Sequence, residues 1–138
     1  MLANPDFNLF GIYDQRKTIG LLSVWNLHEF SFIEHLAIQD TERGKGFGTQ
    51  AVQQVLTRFL APVVLEVEQP ISVAAQKRIA FYKRHGFSVC EGGYYQPPYS
   101  TCKNKVKMLL MSFPEKIMEV SFNQVKARIY DSVYNLSE

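Results

Sequence analysis

Apolar residues in this chain keep two different rhythms. In "NLFGIYDQRKTIGLLSVWNL" they fall in two branched and aromatic blocks on either side of a polar stretch, Asp14–Lys17. That spacing predicts two strands, at about 7–13 and 18–26, joined by a turn. After a short corner at Leu27–Glu29, "FSFIEHLAI" (30–38) predicts a third strand. From Gly46 to Leu60 the period lengthens: Phe47, Ala51, Val52, Val55, Leu56, Phe59 and Leu60 recur at helical spacing, closed by Pro62. "VVLEV" (63–67) is nearly continuous in apolar residues, as in a strand buried on both faces. "SVAAQKRIAFYKRHGF" predicts a second helix with Val73, Ala74, Ile79, Ala80 and Phe81 on its apolar side and Gly86 at a left-handed cap. "FSVCEGG" and "NKVKMLLMSF" predict two more strands. Between them "YYQPPYSTCKN" holds Pro–Pro and is expected to be a loop or irregular edge. Ile117, Val120, Val125, Ile129 and Val133 predict a final amphipathic helix over about 115–135. The order of elements is that of a mixed-sheet α/β protein with helices against the sheet.

Length and composition narrow this picture. A chain of 138 residues is most simply one domain, 1–138. A formal net charge of +2 argues against nucleic acid as a partner. The N-terminus has no basic stretch followed by an apolar core, and no uncharged run approaches a membrane span, so neither a signal peptide nor a membrane partner is expected. The two cysteines, Cys90 and Cys102, show no metal-ligand spacing and no metal is expected. A cytoplasmic protein with reduced thiols is the expectation, a Cys90–Cys102 disulfide being the less favoured state.

The stretch "RGKGFGT" (43–49) alters the functional outlook most. It lies between the third strand and the first helix, with Gly44, Gly46 and Gly48 on alternate positions. A Walker A loop needs Gly-Lys-Ser/Thr, which is absent, and a dinucleotide fingerprint needs glycine where Thr49 stands. What remains is R-x-x-G-x-G at the start of a helix. The first amides of a helix have no intrahelical partners and sit at the positive end of its dipole. Glycines would let a phosphate approach those amides while Arg43 and Lys45 add charge. A glycine-rich turn that merely starts a helix explains the cluster alone comparably well.

"IEHLAIQDTERGKGFGTQAVQQVL" resembles motif A of the GNAT superfamily, the acyl-CoA-dependent N-acyltransferases, and "RIAFYKRHGF" resembles the helix and strand of that family's next motif. The two stand in the family's order with "VVLEV" between them. The likeness runs over about 8–113, most strongly over 33–90, and "QPPYSTCKNKVKMLLMS" is similar to the tail of some bacterial members. It implies a mostly antiparallel twisted sheet with a splayed central strand pair, here 30–38 and 63–67, with the helix at 115–135 as an addition. It implies acetyl-CoA as co-substrate. The amides of Arg43, Gly44, Lys45, Gly46, Phe47, Gly48 and Thr49 would seat the pyrophosphate, and Leu36, Ala37 and Ile38 would pair with the pantetheine arm. Gln76 and Phe81 would also contact the cofactor.

The chemistry requires that an acceptor amine lose a proton and that the departing thiolate gain one. Tyr82 matches the family's frequent general-acid tyrosine; the alternative is that it only packs the helix. Glu34, four residues before Ile38, is the candidate base, with an edge or surface glutamate as the even alternative. Alternation puts Glu34 on one face with Leu36 and Ile38, and His35 on the other. His28 sits in a corner, and His85 is placed to complement a helix dipole. Lys83 and Arg84 read first as a solvated helix face, and Tyr94, Tyr95 and Tyr99 either line the acceptor site or cover the sheet.

The expected activity is N-acetyl transfer to a primary amine, on a small molecule or on a peptide or protein, by direct transfer in a ternary complex. The alternative is a non-catalytic acyl-CoA-binding or protein-interaction domain. A GNAT domain usually opens with a strand and one or two helices that wall the acceptor pocket, and these have no counterpart before "FNLFGIY". A shortened chain, replacement by the helix at 115–135, or completion by a second subunit would each account for that. The gap leaves a sheet edge or apolar face exposed, which favours a homodimer.

Overall fold

The computed structural model describes residues 6–97, 106–117 and 119–135, in two compact units, 1–63 and 64–138. The first unit opens with an antiparallel meander of β1 (Phe7–Asp14), β2 (Lys17–Asn26) and β3 (Ser31–Ile38). Asp14 faces Lys17 across a two-residue turn in which Gln15 takes φ 59°, the positive value that tight hairpin loops demand. Two bulges interrupt the ladders. One places Ile19 as the extra residue of β2, where Ile12 faces Gly20 and Tyr13 faces Thr18. The other lies where Ser23 faces His35 and Val24 faces Ile33, so that Glu34 is the extra residue of β3. A bulge bends the strand and re-aims the side chain it carries.

The corner between β2 and β3 buries Leu27 and Phe30, and the Leu27 amide donates to the Phe30 carbonyl at 2.9 Å. His28 stands at φ 74° on this corner, 3.3 Å from the Asp6 carboxylate. A 3-10 turn (Asp40–Glu42) leads into α1 (Phe47–Arg58). This helix buries Ala51, Val52 and Val55, while Leu60, which the spacing assigned to the same stripe, lies beyond its end and is exposed. Ser31 anchors the start of β3 to the chain after α1: its hydroxyl donates to Leu60 O at 2.8 Å and its amide to Pro62 O at 3.0 Å. Ile19, Val24, Phe32 and Val52 are wholly buried, each contributing about 1.5–3 kcal/mol of transfer free energy.

The second unit contains β4 (Val63–Glu68), α2 (Val73–Arg84), β5 (Ser88–Val89), β6 (Tyr94–Gln96), β7 (Val106–Phe113) and α3 (Glu119–Ser132). β7 lies between β4 and β5 and also pairs with β6; its ladders to β5 and β6 are antiparallel. Ser72 caps α2 by accepting from the Ala75 amide at 3.0 Å, and Gly86 follows the helix at φ 92°.

The buried stripe of α2 is Ala75, Ile79 and Tyr82, spaced i, i+4, i+7; Val73 is 66% exposed and Ala74 and Ala80 face outward. The expected apolar side was therefore set a residue or two off, because small alanines there carry little burial energy and a tyrosine ring carries much. The expected loop after Cys90 begins instead with a strand, β6, whose Tyr94 is wholly buried; Tyr99 and Cys102 lie outside the described residues. Cys90 is a buried free thiol. In α3, Ile129 is buried as the spacing required, and Phe122, absent from that pattern, is buried with it. A Cβ built on Gly92 would lie 2.6 Å from the Phe122 ring, so glycine is what allows this helix to approach. Among the described residues, seven strands, mostly antiparallel, and three α-helices make the mixed α+β class.

Candidate active site

The glycine loop is built as its sequence suggests, with one exception. Gly44 and Gly46 have φ 82° and 88°, in the left-handed region, and a Cβ built on either meets no heavy atom within 4 Å. Gly46 is the N-cap of α1, and its carbonyl accepts the first helical bond from Gln50 at 3.1 Å. The amides of Gly44, Lys45, Gly46, Phe47 and Gly48 donate to no described residue. The Arg43 amide is the exception: it bonds Asp40 O at 3.3 Å as part of the 3-10 turn, so it is not available to a ligand as expected.

The basic side chains are also already partnered. Arg43 Nη1 lies 3.1 Å from Asp40 and its Nε donates to Ile38 O at 3.2 Å; Lys45 Nζ lies 2.8 Å from Glu42. The Lys45 hydrogen bond holds the Glu42 carboxyl below the usual carboxylate range and raises Lys45 in turn. Positive charge was expected to be the loop's second asset; two local carboxylates neutralise it. Open space beside two glycines and a run of amides with no partner among the described residues is the arrangement a diphosphate requires, and acetyl-CoA fits this loop on those grounds.

β3 delivers the next candidates. Glu34, Leu36 and Ile38 are half-buried while His35 and Ala37 are exposed, so the alternation read from the sequence holds beyond the bulge. Trp25 Nε1 donates to Glu34 Oε1 at 2.8 Å, and Phe7 packs on that indole at 4.9 Å between centroids. His35 Nδ1 lies 3.2 Å from the buried Ser23 hydroxyl, a structural bond. Ala37 and Ile38 border an open depression of about 440 Å³ with Gly20 and Leu21. A Cβ on Gly20 would stand 2.3 Å from Ala37 O, so the strands approach here only because the residue is glycine. Phe47 lines a second depression, of about 370 Å³, between β1 and α1.

In the second unit Tyr82 is 7% exposed, its ring flanked by Phe81 at 5.2 Å and Phe87 at 5.5 Å. Burial pushes its hydroxyl above the usual tyrosine range, against a smaller opposing effect of Arg78. That hydroxyl bonds no described residue. Phe81 also meets His85 at 4.8 Å, and Gln76 Nε2 is engaged with Pro70 O at 3.2 Å. Lys83 and Arg84 are exposed.

Glu66 is the residue that sequence reading passed over. Its carboxylate accepts from the hydroxyls of Tyr94 and of Tyr134, the latter at 2.7 and 2.9 Å to its two oxygens, and from Gln96 Nε2 at 3.1 Å. Desolvation first, and the Glu66 charge second, push Tyr94 far above the usual tyrosine range. The network joins β4, β6 and the end of α3. Its only trace in the sequence is one glutamate inside "VVLEV". Tyr95 is exposed, and its carbonyl accepts from the Tyr130 hydroxyl at 2.7 Å.

Among the described residues no group of three or more His, Cys, Asp or Glu could hold a metal ion, and no helix is long and apolar enough to cross a membrane.

With this geometry established, likeness to known proteins becomes informative. Residues 1–87 match the model of the acetyltransferase (GNAT) family. A GNAT-family protein from Bacteroides thetaiotaomicron is similar at 32% identity and TM-score 0.87, over 96% of this chain and 75% of its own. Two others share the fold alone. One is a GNAT acetyltransferase from Elizabethkingia anophelis with acetyl-CoA bound, at 14% identity and TM-score 0.60, covering 78% and 75% of the two chains. The other is the ribosomal-protein-S18-alanine N-acetyltransferase of Escherichia coli, at 17% and 0.62, covering 84% and 74%. No curated protein sequence matches the chain. The chain belongs to the GNAT acetyltransferase family, whose members are acyl-CoA N-acyltransferases that use acetyl-CoA.

Proposed function

We propose that this protein moves an acetyl group from acetyl-CoA to a primary amine by direct transfer in a ternary complex. The observation that carries the reading is the run of amides from Gly44 to Gly48 at the start of α1 that donate to no described residue, beside two left-handed glycines with open space. In this reading those amides bind the diphosphate, the backbone of Leu36–Ile38 pairs with the pantetheine arm, and the Ile38 region supplies an N–H to the thioester carbonyl. Phe81 and Gln76 are further cofactor contacts; Gln76 must release Pro70 O to serve.

The acceptor nitrogen attacks the thioester carbon, the new C–N bond forms and the C–S bond breaks. Glu34 takes the proton that the amine loses, its carboxylate oriented by the Trp25 indole. Tyr82 gives its proton to the leaving sulfur, and its raised pKa keeps that proton in place through the neutral range. The acceptor is a small amine or a protein amine; the Escherichia coli structure, whose name specifies a ribosomal-protein alanine, supports including protein N-termini in the search.

The test is thiol release from acetyl-CoA across a panel of small amines and peptides. Tyr82→Phe is expected to lower kcat by about 10²–10⁴-fold while leaving CoA affinity and stability near the parent's. Tight CoA binding with no release from any acceptor would refute catalysis and leave an acyl-CoA-binding domain. An absence of CoA binding would refute both.

A further inference from the structure

Glu66 interrupts an otherwise apolar stretch of β4, with Val63, Val64, Leu65 and Val67 buried around it. A half-buried carboxylate there costs desolvation that an apolar side chain would avoid, so packing alone does not account for it. Three donors converge on this carboxylate. Tyr94 and Gln96 lie two apart on β6 and share a face, and Tyr94 is wholly buried, so the sheet fixes both. The third donor, Tyr134, stands on the turn beyond Ser132, the last residue of α3.

α3 meets the β6 segment through one stripe of residues four apart. Phe122 packs where a Cβ on Gly92 would stand, and Lys126 Nζ donates to Gly93 O at 3.2 Å. The Tyr130 hydroxyl donates to Tyr95 O at 2.7 Å and accepts from the Tyr95 amide at 3.3 Å, as a neighbouring strand would. Tyr134 continues the stripe after regular helix has ended. Its amide bonds Ile129 O at 3.3 Å, five residues back, and Asn135 follows at φ 56°.

The Tyr134 hydroxyl oxygen lies 2.7 and 2.9 Å from the two carboxylate oxygens of Glu66. A hydroxyl has a single hydrogen, so it cannot serve both oxygens at once. An ammonium group in the same place has three hydrogens and a full charge, and its bonds to a carboxylate are the stronger kind.

We infer that the Tyr134 hydroxyl occupies the seat of an ammonium group on Glu66, and that the turn after α3 is a cap which an acceptor amine displaces. The inference rests on the reading that this protein acetylates a primary amine. An amine reaches only the uncapped fraction of the protein, and its apparent affinity is reduced by that fraction. Removing the Tyr134 hydroxyl therefore tightens amine binding, whereas losing a merely structural hydrogen bond would leave it unchanged or weaken it.

Calorimetry on the full chain with n-butylamine, and with n-butanol as the uncharged control, tests this. Tyr134→Phe keeps the ring and is expected to bind butylamine about tenfold more tightly than the parent. Tyr130→Phe removes a hydroxyl from the same stripe without vacating the carboxylate, and should shift the Kd by less than about twofold. Glu66→Gln, with its fold checked by thermal melt, should weaken butylamine by about tenfold or more and erase its advantage over butanol. In the parent, saturating butylamine should speed hydrogen exchange of the amides from Ile129 to Tyr134. Butylamine that binds neither the parent nor Tyr134→Phe would overturn the inference. So would equal gains in Tyr130→Phe and Tyr134→Phe, or exchange in this segment indifferent to the amine. None of these readouts needs turnover. Butylamine that binds and unseats Tyr134, with no thiol release from any acceptor, defeats the catalytic reading and leaves the cap. Thiol release with an amine KM unchanged in Tyr134→Phe defeats the cap and leaves catalysis.

Discussion

Replacing Gly46 by alanine tests the binding loop where its geometry is most demanding. The residue stands at φ 88°, and a side chain there is strained although its Cβ would meet nothing within 4 Å. The left-handed conformation costs a non-glycine residue about 1–2 kcal/mol. Loss of unfolded-chain freedom returns about 0.4–1 kcal/mol of this, leaving a net destabilisation near 1 kcal/mol. Binding should suffer more. The added methyl occupies the space through which a phosphate reaches the amides of Gly44 to Gly48, and one lost charge-assisted hydrogen bond is worth about 1.5–3 kcal/mol, or roughly ten- to a hundredfold in Kd. Urea unfolding measures the first effect and calorimetry with CoA the second. Pantetheine, which lacks the diphosphate, should bind parent and variant alike. Gly93→Ala, with neither a positive φ nor a neighbour within 4 Å of its Cβ, is the control and should change neither quantity. An unchanged CoA Kd in folded Gly46→Ala, or an equal loss for pantetheine, would refute the assignment of this loop to the diphosphate.

Two further outcomes follow from packing and burial. Gly20→Ala should cost about 1–3 kcal/mol in urea unfolding, since its Cβ would stand 2.3 Å from the Ala37 carbonyl oxygen and backbone must move; a loss under about 0.5 kcal/mol would contradict the close approach of β2 and β3. Alkaline pH should weaken the fold. Tyr82 and Tyr94 are raised above the unfolded tyrosine value near 10, so in that range the native state holds protons that the unfolded chain has lost. Their contribution is fully present below about pH 10 and declines above it, by at most about 1.4 kcal/mol per pH unit for each group, until the raised folded value of that group is passed. Chemical denaturation at stepped pH, read beside the tyrosinate absorbance, checks this; stability unchanged between pH 10 and 11.5 would refute it.

What could be read from the chain in advance divides along physical lines. The helices announced themselves by period, because burial of one face imposes it; β1 to β3 did so by blocks of branched and aromatic residues between polar turns, and β4 by a nearly continuous apolar run. The bulge at Glu34 did not. A single extra residue leaves composition unchanged, and only the pairing of Ser23 with His35 and Val24 with Ile33 reveals it. The stripe of α2 was misplaced by following alanines, where the tyrosine of the same segment carried the burial. β6 hid behind the two prolines that follow it, although a strand may end at a residue that cannot donate. The glycine loop was legible because positive φ selects glycine so strongly. The partners of its charges were not: Asp40 and Glu42 lay in plain view in "QDTERGKG", three residues before Arg43 and Lys45, yet that spacing supports ion pairing in many loops that never form it.

Those ion pairs change how anion binding at the loop must work. A diphosphate approaching Arg43 or Lys45 would compete with Asp40 or Glu42 for each cation: exchanging the exposed Asp40 for a phosphate gains little, and drawing Lys45 away would leave the buried Glu42 carboxylate without this cation. The amides of Gly44 to Gly48 have no described partner to give up, and they lie at or just before the N-terminus of a twelve-residue helix, the positive end of its dipole. In the proposed reading, backbone rather than side-chain charge is therefore the expected source of affinity in this loop. The arginine has a different use. By donating to Ile38 O it fastens the end of β3 to the start of the loop before α1, so that, in the proposed reading, the strand for the pantetheine arm and the helix start for the phosphates are tied together before any ligand arrives. Preorganisation of that kind lowers the ordering cost of binding, and it assigns Arg43 to the shape of the loop more than to its charge.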